Sequence, residues 1–321
     1  AAMTEYGFAL SSEEHRPMDL VRYAQRAEEL GFSFVSLSDH YHPWIDQQGQ
    51  SPFAWCVVGG VAAVTNRIEL GMGVTCPTIR IHPAVLAQAA ATSADMMPGR
   101  FFFGVGSGEN LNEHILGDRW PADLDVRQEM MVEAVEVIRK LWQGGYTSHH
   151  GKHYTVENAR IYTLPAELPP IIVSATGKKA AKIAAEIGDG LWSTAPDKEV
   201  VDAWKQAGGT GPVYGQLTVC FHDDESQAKK IAREWWPNTS IPGNLSQELP
   251  LPLHFEQAAE LVTEDKVAEK LVCGPDPERY VERLREYEEA GFTHLYLHQV
   301  GPDQDAFFSF WERELKRRVT A

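Results

Sequence analysis

The sequence predicts an α/β protein built as a (β/α)8 barrel, and three observations lead there. Short apolar runs recur along the chain, a helical segment follows each of them, and eight such units fit within 321 residues. Strand and helix in alternation imply a parallel sheet, because a parallel pair needs a crossover long enough to hold a helix.

The elements follow in order. "YGFALS" reads as the first strand. In "MDLVRYAQRAEELG", Leu20, Val21, Ala24, Ala27 and Leu30 share one helical face, and Gly31 is the stop. "FSFVSLSD" is the second strand and "AWCVVGGVAAVT" its helix. "IELGMGV" and "AVLAQAAATSADMM" form the third unit, then "FFFGVG" and the long helix "RQEMMVEAVEVIRKLWQGG" the fourth. "YTSHHGKHYTV" interrupts the pattern and reads as a hairpin insertion over about 145–156, turning at Gly151. The alternation resumes with "PIIVSAT", "KKAAKIAAEIG", "GLWSTA", "KEVVDAWKQAG", "YGQLTVCF" and "ESQAKKIAREWW". A stretch rich in Pro and polar residues at about 237–255 reads as a long loop of the lid or binding kind. "PERYVERLREYEEAG", "THLYLHQV" and "QDAFFSFWERELKRR" close a single domain spanning 3–318. An open dinucleotide-binding sheet is the other arrangement of such units. The first strand-to-helix turn, "LSSEEHRP", lacks the G-x-G-x-x-G that it requires.

Composition narrows the function. Forty-five acidic against 29 basic residues give a formal charge of -16, which repels phosphate backbones and anionic lipid, so neither nucleic acid nor membrane is an expected partner. Cys56, Cys76, Cys220 and Cys273 lie far apart with no C-x-x-C, which predicts reduced thiols, a cytoplasmic location and no bound metal. "AAMTEYGF" has no basic region followed by an apolar run, and Met3 after Ala1 and Ala2 reads as the initiator.

In such a barrel the chemistry sits at the carboxyl ends of the strands. Those ends read Ser11-Ser12, Asp39-His40, Val74-Thr75-Cys76-Pro77, Gly106-Ser107-Gly108-Glu109, Ala175-Thr176-Gly177 and Leu297-His298-Gln299. Gly106 and Gly108 let the backbone approach a ligand and aim N–H groups at it, and Glu109 is a candidate acid or base. A plain glycine-rich turn would read the same way. Thr176 and Gly177 lead into a helix start, where unpaired N–H groups favour phosphate, and Lys178, Lys179 and Lys182 add positive charge that a solvated helix face explains equally well. Trp44 either packs or walls a pocket for a ring. His149, His150 and His153 have near-metal spacing without an acidic or cysteine ligand close by in sequence, and are expected on the surface.

"SLSDHYHPW", "GVTCPTIRIHPAVLAQAAAT", "GRFFFGVGSGENLNEHILG" and "GDGLWSTAPDKE" together resemble the bacterial luciferase-like superfamily, in the branch similar to coenzyme F420-dependent glucose-6-phosphate dehydrogenase. The likeness runs from Tyr6 to Leu315. It implies a homodimeric barrel enzyme that binds the deazaflavin F420 and moves hydride between C5 of its ring and a substrate hydroxyl, on an alcohol, sugar or sugar phosphate, in either direction. His40, Trp44 and Glu109 then correspond to the catalytic residues. Asp39, Gly73, Val74, Thr75, Ser107, Gly108, Asn112, Ala175, Thr176, Gly177 and Lys178 correspond to the cofactor-binding set, with a cis peptide at Gly73-Val74. The other large use of this barrel is an FMN-dependent monooxygenase.

The phosphate-holding positions of the resembled enzymes fall at Asp197 with Lys198 adjacent, at Ser246 and at Lys270. Lys198 and Lys270 are thus the expected substrate contacts. One clear lysine beside an aspartate holds a dianion weakly, and "IPGNLSQELPLPLHF" is apolar and short of cations, which suits a neutral alcohol or carbonyl compound.

Overall fold

The computed structural model describes residues 3–320, and Ala1, Ala2 and Ala321 lie outside the described residues. Eight parallel strands close into a barrel: β1 (Glu5–Leu10), β2 (Phe34–Leu37), β3 (Glu69–Thr75), β4 (Phe101–Val105), β7 (Ile171–Ser174), β8 (Gly190–Ser193), β9 (Val213–Cys220) and β11 (His294–Gln299). Each pairs with its neighbours in that order, β8 pairs with β9, and β11 pairs with both β9 and β1 to close the ring. β5 (Thr147–His150) and β6 (Thr155–Ala159) form a separate antiparallel hairpin, which reaches slightly past the insertion expected from sequence. A two-residue strand, β10 (Val272–Cys273), adds to the end of β9.

Strands such as FFFGV are buried along their whole length, as a barrel with helices outside and side chains inside demands. Phe34, Phe102, Trp192, Tyr214 and Tyr296 fill the interior together with Ile172 and Ala9. Phe102 and Trp192 both stack on Tyr214, at ring-centroid distances of 4.8 and 5.1 Å. Gly71 makes this possible, because a Cβ there would lie 1.8 Å from the Phe102 ring. The aromatic plug therefore forms a dense floor beneath the strand ends.

Helices cover the outside. Pro17–Glu29 starts with its proline in the first turn, buries Leu20, Val21, Ala24 and Ala27, and ends before Gly31 at φ +84°. Asp123, Asp197, Asp224 and Asp276 each cap a following helix through a side-chain oxygen.

The expected long loop at 237–255 is instead folded. It holds a 3-10 turn at Pro237–Ser240, a helix at Gly243–Glu248 and the start of a helix at Pro252–Ala258, which buries Phe255. Frequent prolines suggested a long loop, yet Pro237 and Pro252 each sit in the first turn of an element, where a missing N–H costs nothing. A further helix, Glu264–Lys270, lies between this segment and β10. His149 is buried rather than on the surface, with Nε2 3.5 Å from Glu133. Among the described residues no helix is long and apolar enough to cross a membrane.

Candidate active site

A cavity of about 430 Å³ opens above the aromatic floor at the carboxyl ends of the strands. The ends of β2 and β4 bring His40, Trp44, Ser107, Gly108 and Glu109 to it. β3 brings Gly73 and Val74, joined by a cis peptide bond, and β7 brings Ser174, Ala175 and Thr176. Gly108 adopts φ +87°, the left-handed region, and a Cβ there would come within 2.5 Å of Cys76 Sγ, so only glycine turns the chain at this point.

His40 is held from behind. Its Nδ1 lies 3.0 Å from the His42 carbonyl oxygen, an arrangement that places the proton on Nδ1 and leaves Nε2 as a bare acceptor in the neutral ring. Nε2 makes no hydrogen bond with the described residues, and the ring lines the cavity. The indole of Trp44 meets it edge to face at 4.9 Å and meets Phe255 at 5.3 Å. Gln48 anchors this loop, accepting from the Trp44 N–H and donating to the Trp235 carbonyl and to Asn238 Oδ1.

Asn112 is buried beneath this group and does not line the cavity. Its Oδ1 accepts from the backbone N–H of Tyr41 and His42, and its Nδ2 donates to Glu109 Oε2 at 3.3 Å; Nδ2 also passes 3.2 Å from His40 Nδ1, whose proton is already given to the His42 carbonyl. One carboxamide thus fixes both the backbone of the loop that carries His40 and the Glu109 carboxylate.

Asp39 and Thr75, expected beside a cofactor, also sit behind the wall. The Asp39 carboxylate accepts from Thr75 Oγ1, Trp55 Nε1 and Arg80 Nη2, and Arg80 also meets Glu113 at 3.4 Å. Burial pushes the Glu113 carboxyl up despite Arg80, and pushes the neighbouring Cys76 thiol well up.

Gly177 and Lys178 lie outside the cavity, as an uncapped helix N-terminus and an exposed side chain paired with Glu199 at 3.0 Å. Lys198 is likewise exposed and paired with Asp202 at 2.6 Å. Lys270 ends its helix facing solvent. No lysine or arginine lines the cavity among the described residues, whereas Glu13 and Glu109 do.

Two further residues, Arg80 and Glu13, belong to the site or its support and carry little signal in the sequence. Arg80 sits alone in "TIRIHP" with no acidic neighbour in sequence, so nothing local signals its two buried partners. Glu13 lies two residues beyond the end assigned to the first strand. Its Oε1 accepts from Ser38 Oγ at 2.5 Å and its side chain lines the cavity. Extending the strand-end rule by a few residues would have found it.

The luciferase-like monooxygenase family matches residues 2–294. The chain belongs to this family. Among curated members, the F420-dependent glucose-6-phosphate dehydrogenase of Microbacterium testaceum (strain StLB037) is 33% identical over 98% of this chain and 97% of its own length. The enzyme of the same name from Kribbella flavida (strain DSM 17836 / JCM 10339 / NBRC 14399) is 35% identical over 94% of each. Among solved structures of the family's fold, an F420-dependent secondary alcohol dehydrogenase in complex with an F420-acetone adduct superposes with a TM-score of 0.90 at 31% identity, covering 98% of this chain and 99% of that one.

Proposed function

We propose that this luciferase-like protein is a coenzyme F420-dependent oxidoreductase that removes hydride from the carbinol carbon of a neutral alcohol, or returns it to the matching carbonyl compound. The observation that carries this reading is a cavity that joins a fixed imidazole with a bare Nε2, His40, to a carboxylate, Glu109, and a wall of small residues, with no cationic side chain among the described lining. Full-length similarity to enzymes named for F420 supports the cofactor.

The residues present fit that cofactor. Gly73, Val74, Gly106, Gly108 and Ala175 make a wall on which a flat ring can lie, and Thr176 stands at its rim. Bound F420 would supply a hydride acceptor at C5 of its ring. His40 Nε2 takes the hydroxyl proton as hydride departs, because oxidation of an alcohol needs a base within hydrogen-bond reach. Trp44 walls the substrate, and Glu109 supplies the second acid or base group. Asn112 positions both. A dianionic phosphate would meet Glu13 and Glu109 without a cation to offset them, which disfavours a sugar phosphate.

We propose further that the protein is a cytoplasmic homodimer. Four unpaired cysteines fit that location. Val64 and Val85, with Phe53 and Met96, expose apolar surface on and beside two helices in contact, Ala54–Val64, which carries no charge, and Pro83–Met96. Light scattering that returned the mass of one chain would sink the dimer.

The test of function is a fluorescence titration with oxidised F420, followed by addition of secondary alcohols and then glucose 6-phosphate while the visible absorbance is followed. Binding and bleaching with alcohols supports the proposal. Binding of FMN with oxygen consumption, and no binding of F420, would replace it with the monooxygenase reading.

A further inference from the structure

The part of the cavity wall formed by the ends of β1 and β11, next to the end of β2 that carries His40, bears polar groups that the proposed hydride transfer leaves unused. His298, on β11, is buried yet lines the cavity. Its Nε2 lies 2.7 Å from Glu14 Oε2, and the Glu14 side chain is 0% exposed. The other Glu14 oxygen accepts from the Gly301 N–H at 2.9 Å. The carboxylate therefore keeps a proton on Nε2 and fixes the plane of the ring. Nδ1 makes no hydrogen bond with the described residues. Trp236 packs edge to face on the ring at 4.5 Å and lines the cavity beside it. Ser11 Oγ, also on the lining, is buried without a partner among the described residues.

We infer that His298, aligned by Glu14 and with Ser11 near the same wall, is a subsite for a second oxygen of the substrate, remote from the carbinol that His40 serves. A buried carboxylate and imidazole are costly to desolvate, and an unpaired hydroxyl adds to that cost, unless a ligand completes their hydrogen bonds. β1 lies between β11 and β2 in the sheet, so the two imidazoles start from strands two spacings apart, roughly 10 Å between backbones. Side chains reaching inward shorten that span. The substrate class is thus a secondary alcohol with a hydroxyl or carbonyl oxygen several carbons away. This rests on the proposed alcohol oxidation, although the subsite itself does not need the cofactor.

The probes are hexane-1,5-diol and heptan-2-ol, which differ only by a hydroxyl in place of a methyl group. Wild-type protein should favour the diol in KM, and His298→Phe should remove that preference, raising the diol's KM roughly tenfold. Glu14→Gln, which keeps an acceptor but loses the charge, should fall between. His298→Gln should recover part of the preference. Circular dichroism and F420 titration establish that each variant is folded and loaded. Equal losses on both alcohols, or an unaltered preference, overturn the subsite. So does weakened F420 binding with the preference intact, which would turn His298 toward the cofactor. A second readout needs no cofactor: the ring 15N resonances of His298, assigned by their loss in His298→Gln, should move with the diol and not with heptan-2-ol. That shift in a protein that fails to bind F420 would uphold the subsite while removing the F420 reading. No shift, or an equal shift with both, overturns it.

Discussion

Arg80 Nη2 lies 3.0 Å from Asp39 Oδ1, with their side chains 6% and 0% exposed. The same guanidinium approaches Glu113, equally buried, at 3.4 Å. One cation therefore offsets two carboxylates behind the strand end that carries His40. Arg80→Met leaves both charges uncompensated and should cost about 3–5 kcal/mol, the usual result of removing one partner from a buried ion pair. Urea denaturation measures it. A loss under about 1 kcal/mol would mean that Glu113 is already protonated and that Asp39 needs no more than Thr75 and Trp55.

This arrangement shows where the sequence was readable and where it was not. Periodicity located all eight barrel strands, because strands packed on both sides are apolar runs, and apolar runs need no tertiary knowledge; the hairpin showed only as a break in that alternation around Gly151. The 237–255 segment misled for the converse reason: prolines break long helices but start short ones. At the site, residues whose side chains enter the cavity, such as His40 and Glu109, sit at strand ends and are visible as polar residues beside core. Asp39, Thr75 and Asn112 sit at the same kind of position, and only side-chain direction separates a residue that faces a ligand from one that supports its neighbour. Linear sequence carries no such direction when the partner, as with Arg80 and Asp39, is 41 residues away.

Asn112 gives a sharper test of that separation. Asn112→Leu keeps the volume but strips acceptors from the Tyr41 and His42 N–H groups and a donor from Glu109. It should lower stability by about 2 kcal/mol and the rate by roughly 10- to 100-fold, with F420 affinity nearly unchanged, because the loss is one of orientation. A large fall in F420 affinity with the rate preserved at saturation would instead return Asn112 to the cofactor-binding set.

Glu109→Gln keeps the hydrogen-bond geometry and removes the ability to exchange a proton. Hydride transfer should drop roughly 100-fold or more while F420 binding stays within a few-fold. Stopped-flow absorbance and fluorescence titration separate the two quantities. Parallel losses in both would make Glu109 a ligand of the cofactor.

Lys198 and Lys270 face solvent, and the first is already paired with Asp202. Replacing both with alanine should leave KM for a neutral alcohol within about twofold, in keeping with the small worth of exposed ion pairs. Low-KM turnover of glucose 6-phosphate by the wild type, abolished in the double variant, would show that these two cations reach the substrate after all.

Burial pushes the Glu14 carboxyl up, but the His298 charge and hydrogen bond, the His15 charge and the Gly301 N–H together outweigh it and hold the group below the ordinary carboxylate value. A folded-state pKa below the unfolded one means that the unfolded chain takes up the proton first as pH falls. The stabilisation from Glu14 is therefore complete above the ordinary carboxylate range and is lost as pH drops through the lowered folded value. Buried His15 acts in the same direction, since burial holds its pKa down against the pull of the Glu14 charge, and acid must charge it. Glu14→Gln resembles the protonated carboxyl: it removes the Glu14 contribution and also the charge that partly offsets burial at His15. The variant should melt well below the wild type near neutrality, and the gap should close at a pH well under the ordinary carboxylate range, while both proteins keep the His15 component. A gap that stayed constant with pH would mean that the carboxylate stabilises through shape and hydrogen bonding alone, with no contribution from its charge against His298.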